Sequence, residues 1–155
     1  MIRKLAFALL LAASFIATGV RAEIRRAPSS GPIAISPAVT APPGSTLVFL
    51  SGALPTIADK AAPGDTATQS RSVLSKLEAA LKAEGLGLGD VVKATVFLVG
   101  DPAKGGEIDF AGLNAAWSEA FGTTAQPHKP ARSTVKVAGL VAPGALVEIE
   151  FIAAR

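Results

Sequence analysis

The apolar residues of this chain repeat with two different periods, and the periods mark out the elements. Thr46-Leu47-Val48-Phe49-Leu50 is a short block closed by Ser51-Gly52, which predicts a strand. Leu74, Leu77 and Leu81 then recur at i, i+3 and i+7, with Arg71, Lys76, Glu78 and Lys82 off that face. This spacing predicts a helix capped by Asp65 or Thr66 and running to about Glu84, with Gly85 at the C-terminal glycine position. Leu86 to Asp90 turns the chain, Val91 to Val99 predicts a buried strand, and Gly100 to Gly106 predicts a loop. Phe110, Leu113, Trp117 and Phe121 follow at i, i+3, i+7 and i+11, the stripe of a second helix with Asp109 as N-cap.

Weaker patterns fill the rest. Glu23 to Ser30 is a polar lead, expected to be mobile, and Ile33 to Val39 contains Pro37, so it is at best an edge strand. Ala41-Pro42-Pro43-Gly44 is a turn, and Pro55 to Gly64 is a loop. Two alternating segments close the chain, Pro130 to Val137 and Leu146 to Ile152. The order β-β-α-β-α-β-β fits one α+β domain over residues 31–155, a two-layer sandwich with both helices on one face of a sheet.

The N-terminus changes the charge balance. Arg3 and Lys4 precede an apolar run from Leu5 to Val20, and Val20-Arg21-Ala22 offers compact residues at a cleavage site. This is the layout of a secretory signal peptide over residues 1–22, which implies a periplasmic or secreted domain without stable membrane insertion. Retention as an anchor is the alternative. The segment holds three of the fifteen basic residues and none of the twelve acidic ones, so fifteen less three leaves twelve of each. A balanced chain lacks the basic footprint that nucleic-acid binding needs. The absence of cysteine excludes disulfides, thiolate metal sites and a cysteine nucleophile.

The final segments hold the candidate chemistry. Alternation sets Ser133, Val135 and Val137 on one side of the first segment and Arg132, Thr134 and Lys136 on the other. In the second, Val147, Ile149 and Phe151 oppose Glu148 and Glu150. If the two segments pair and their valine faces meet the helices, Arg132, Thr134, Glu148 and Glu150 share the outer face. That face is either a solvated set of cross-strand charge pairs, worth little, or a cleft covered by another subunit. In a cleft, the arginine would grip a carboxylate and the glutamate would orient water.

Pro130-Ala131-Arg132-Ser133, the strand after it, Leu140 and the Val147-Glu148-Ile149 ending resemble the signature of the RidA family, the YjgF-like reactive intermediate deaminases. Leu50-Ser51-Gly52-Ala53-Leu54-Pro55, Gly85-Leu86, Asp90-Val91-Val92-Lys93, Thr95-Val96-Phe97-Leu98 and Phe110-Ala111-Gly112-Leu113-Asn114 resemble its other segments. The resemblance covers about residues 28–155. It implies a chorismate-mutase-like fold with one mixed sheet, and a homotrimer with clefts between subunits. It also implies hydrolysis of enamines or imines such as 2-aminoacrylate to 2-oxo acids and ammonia, with no metal or organic cofactor. Arg132 matches the residue that binds the substrate carboxylate, and Glu148 matches the acid that positions water. Ser51, Gly52, Asn114 and Thr134 match cleft residues; many members have Cys where Thr134 stands, and its backbone can serve in the same place.

The chain departs from the family near Ala38, where many members carry a tyrosine, and it contains no tyrosine at all. Ala53 stands in place of a common glutamine, and the Gly100–Asp109 loop is longer than usual. A binding protein that holds small carboxylates without turning them over is therefore the alternative to an enzyme. Trp117 reads as core from its place on the helical stripe. His128, the single histidine, reads as exposed, with a role at the cleft rim as the rival. Gly85, Gly87 and Gly89 match no phosphate-binding fingerprint and read as turn glycines.

Overall fold

Both helices begin where a side chain answers their free N–H groups. Asp65 accepts a hydrogen bond from the Thr68 N–H at 2.8 Å, starting α1 at Thr66–Ala83. Asp109 accepts one from the Gly112 N–H at 3.0 Å, starting α2 at Phe110–Ala120. Gly85 takes a positive φ of 69° just past α1, a conformation that a Cβ would strain. In the computed structural model, which describes residues 23–155, the strands are β1 (Arg25–Arg26), β2 (Val39–Thr40), β3 (Leu47–Ala53), β4 (Val91–Leu98), β5 (Ala131–Lys136) and β6 (Val147–Ala154). The signal peptide expected over residues 1–22 lies outside the described residues.

The main sheet has the order β3-β6-β4-β5. Its pairs are antiparallel except β4 with β5, so the sheet is mixed. Val73, Leu74, Leu77 and Leu81 of α1 and Leu113 and Trp117 of α2 pack on Ala94, Val96, Val147, Ile149 and Phe151, all buried. Each large side chain so buried contributes roughly 1.5–3 kcal/mol. Gln69, 2% exposed, fastens the turn before β6: its Nε2 donates to Gly144 O at 2.9 Å and its Oε1 accepts from Leu146 N at 2.8 Å. That bond fixes the strand entry two residues before Glu148.

Three expectations are corrected. The lead is tied at Arg25 and Arg26, which pair with Thr40 and Val39 in a separate two-stranded sheet. Most of Ile33 to Val39 is irregular, and only Val39 joins a strand, because Pro37 removes a backbone donor and neighbouring backbone is bonded elsewhere. The two C-terminal strands do not pair with each other, since β4 lies between them.

Candidate active site

The interposed strand settles which way each site residue faces. Arg132 lies beside Ala94, and Ala94 lies beside Phe151. Paired residues share a face, so Arg132, Thr134 and Lys136 are on the helix side. Glu148 lies beside Phe97, which lies beside Val135, all on the outer side. The expectation that Arg132, Thr134, Glu148 and Glu150 share one outer face is therefore wrong for β5. The one valine of that edge strand, Val135, points outward and is 44% exposed.

Arg132 reaches under α2. Its guanidinium carbon lies 4.6 Å from the Trp117 ring centroid and 5.6 Å from that of Phe110. Its Nη2 donates to Asn114 Oδ1 at 2.7 Å. These three contacts come from i, i+4 and i+7 of one helix face. Its Nη1 is enclosed without a partner, and so is the Oγ1 of Thr134 on the same side of β5. None of the ion pairs among the described residues includes Arg132. Burial without an anion lowers its pKa to about 10, because desolvation penalises the charged form.

β5 is the edge of the sheet. Val137 N donates into β4, to Leu98 O at 2.8 Å. Backbone N–H groups alternate along a strand, so that of Thr134 faces the open edge. Arg132 Nη1 and Thr134 Oγ1 lie without partners on the helix side of β5, and the Thr134 N–H points to its open edge.

Glu148 belongs to a second cluster. β3 carries an extra residue between Leu50 and Ala53, a bulge at Ser51–Gly52. The bulge brings Gly52 against Glu148 so closely that a Cβ there would run into the carboxylate. Ser51 lines a groove of about 280 Å³ on the outer face with Phe49, Lys93, Thr95 and Glu150. Phe49 is 71% exposed there.

The predicted residues thus form two groups, Arg132–Asn114–Thr134 and Ser51–Gly52–Glu148, on opposite faces. Trp117, expected in the core, is buried there yet lies against Arg132, and so does Phe110 of the same stripe, which is 38% exposed. Their shared helical spacing with Asn114 was the available signal. His128 lies 3.1 Å from Gly89 O and lines a separate cavity of about 890 Å³ with Arg26, Asp90 and Arg155. Among the described residues no group of three or more acidic or histidine side chains is placed to hold a metal, and no helix is long and apolar enough to cross a membrane.

A mixed sheet backed by two helices, with a half-buried guanidinium that has no acidic partner, defines an α+β sandwich. The sequence profile of the family described as Endoribonuclease L-PSP matches residues 30–155, and the chain belongs to that family, the YjgF/RidA proteins. It is 39% identical over 130 residues to the 2-iminobutanoate/2-iminopropanoate deaminase of Escherichia coli, covering 83% of this chain and 95% of that one. It is 40% identical over 125 residues to a RutC family protein of Haemophilus influenzae, covering 80% and 91%. The crystal structure of Rv2704 from Mycobacterium tuberculosis, of the YjgF/YER057c/UK114 family, superposes with a TM-score of 0.54 at 29% identity, over 86% of this chain and all of that one. The Rid family protein YyfB of Yersinia pestis shares the fold, with a TM-score of 0.66 at 23% identity over 85% and 98%.

Proposed function

We propose that this protein hydrolyses 2-imino acids, and the enamines that tautomerise to them, to 2-oxo acids and ammonia. The observation that carries the reading is the half-buried Arg132, without an acidic partner and with its Nη1 enclosed and unbonded, on the same side of its strand as the unpartnered Oγ1 of Thr134. The 39% identity to a deaminase of that substrate class supports it.

In this reading the substrate carboxylate bonds Arg132 and Thr134, fixing the imine carbon. Glu148 takes a proton from water as its oxygen bonds to that carbon. Glu148 passes that proton to the imine nitrogen, giving the carbinolamine; as its C–N bond breaks, the carbinolamine hydroxyl proton moves through Glu148 to the departing nitrogen, leaving the 2-oxo acid and ammonia. One water is consumed per ammonia, and orientation with proton transfer suffices because imines hydrolyse readily.

Arg132 and Glu148 lie on opposite faces, so one chain cannot present both to a small substrate. The complete site is formed between subunits, with Arg132, Asn114 and Thr134 from one chain and Ser51, Gly52 and Glu148 from the next. The exposed Phe49 and Val135 on the outer sheet face support such an assembly, a homotrimer. Export through residues 1–22 is part of the same proposal, and sizing of the N-terminus on protein from the periplasmic fraction tests it.

The activity test couples an amino-acid oxidase to generate imines and follows their decay. Purified protein should speed decay over buffer, and Arg132→Ala should abolish the gain. Decay equal to buffer for every imino acid, alongside calorimetric binding of 2-oxo acids, would establish a non-catalytic carboxylate binder instead.

A further inference from the structure

Arg132 is held without any acid, and the manner of holding points to one residue. Trp117 is fully enclosed and stacks on Phe121, with ring centroids 4.4 Å apart and planes 28° apart. The Arg132 guanidinium carbon lies 4.6 Å from the centroid of the same indole. The indole Nε1–H donates to Ala34 O at 2.8 Å. Two residues on, Ser36 N donates to Pro130 O at 2.9 Å. The backbone from Ala34 to Ser36 is therefore bonded to the indole at one end and to the start of β5 at the other. Trp117, Ala34, Ser36, Pro130 and Arg132 close a ring of contacts around the anchor.

We propose that Trp117 is a positioning residue for the carboxylate anchor: its π face holds the Arg132 guanidinium without neutralising it, and its ring nitrogen fixes the flanking Ala34–Ser36 backbone. The inference rests on the reading of Arg132 as that anchor. A carboxylate in the same place would hold the guanidinium too, but it would satisfy the charge and compete with substrate. An aromatic face attracts the cation and accepts no bidentate hydrogen bond. Arg132 Nη1 accordingly stays without a partner. Asn114 adds a neutral acceptor on Nη2 at 2.7 Å, with the same consequence for charge.

Phe121 supplies the control, since it packs on the indole and Phe151, whereas the Arg132 guanidinium lies over the rings of Trp117 and Phe110. The experiment compares Trp117→Leu, Trp117→Phe and Phe121→Leu. It measures Kd for pyruvate by calorimetry, KM and kcat for imine hydrolysis, and the exchange of the Arg132 guanidinium protons by NMR, assigned with Arg132→Lys. Trp117→Leu should raise Kd and KM roughly tenfold and speed that exchange, with kcat within about twofold. Trp117→Phe should fall between it and wild type. Phe121→Leu should lower stability yet leave Kd and the guanidinium exchange unchanged. Equal rises in Kd for Phe121→Leu and Trp117→Leu would reduce Trp117 to a packing residue and overturn the proposal, as would unchanged Kd and exchange in Trp117→Leu. If Trp117→Leu does not fold, Trp117→Phe against Phe121→Leu decides. If the wild type neither turns over imines nor binds pyruvate, the functional reading fails, and the guanidinium exchange alone decides the positioning role.

Discussion

Arg132 and Glu148 stand on opposite faces of one sheet, with β4 between their strands. Two strand spacings, ~10 Å, separate β5 from β6. The anchor and the water-directing acid proposed for one reaction are thus kept apart within a chain, and each sits with its own supporting residues.

Thr134→Val isolates the hydroxyl. Its Oγ1 is enclosed and unpartnered in the free protein, so the near-isosteric change removes a desolvated polar group. We expect stability to rise by about 1 kcal/mol in urea unfolding and kcat/KM for imine hydrolysis to fall several-fold. Unchanged kinetics would leave only the Thr134 backbone as a donor.

Gly52→Ala tests the placement of Glu148. The added methyl meets the carboxylate, the far end of a flexible side chain, so the fold should absorb it with a loss under about 1 kcal/mol. The carboxylate must move, and kcat should fall about tenfold or more with little change in KM. A wild-type kcat would detach Glu148 from the chemistry.

The pH profile should report Arg132. Burial lowers its folded pKa from the ordinary arginine value to about 10, so the folded protein holds fewer protons than the unfolded chain from about 10 up to that ordinary value. The stability term from this group rises with pH across that window and is flat and lowest below it. Activity behaves in the opposite sense, since the carboxylate needs the cation: kcat/KM should fall as pH passes about 10. In Arg132→Lys the alkaline limb should move to lower pH, because lysine starts at ~10.4 and burial lowers it further.

Phe49→Lys tests the outer face. The side chain is 71% exposed in the single chain, so the fold should tolerate the change. In an assembly that buries this face, a lysine replaces a ring whose burial contributes roughly 2 kcal/mol. Light scattering should show smaller species, and activity should fall although Arg132 and Glu148 are untouched. Full activity in a monomer would contradict the intersubunit site.

The helices, the long strands and both caps were legible because each rests on local period and local chemistry. Leu74, Leu77 and Leu81 face the core as their spacing requires, and Asp65 and Asp109 cap as their positions suggest. The faces of β5 were not legible. An edge strand whose Val135 points outward reads like one whose valine points inward, and only pairing through β4 separates the cases. The lead was misread for a similar reason: Arg26 is held by Gly89 O at 2.6 Å, a contact across 63 positions that no local pattern encodes. Trp117 was legible as core and illegible as a partner of Arg132, because its stripe position fits both.

In the proposed trimer each site takes its anchor and its acid from different chains. The direct measurement mixes Arg132→Ala and Glu148→Gln proteins, each inactive alone, in equal amounts under subunit exchange. In a ring of shared sites, a random mixture restores both residues at about one quarter of the sites. Imine-hydrolysis activity should reach about that fraction of wild type, appearing only after exchange. Activity that never rises above the separate variants, with exchange verified by mass spectrometry, would contradict it.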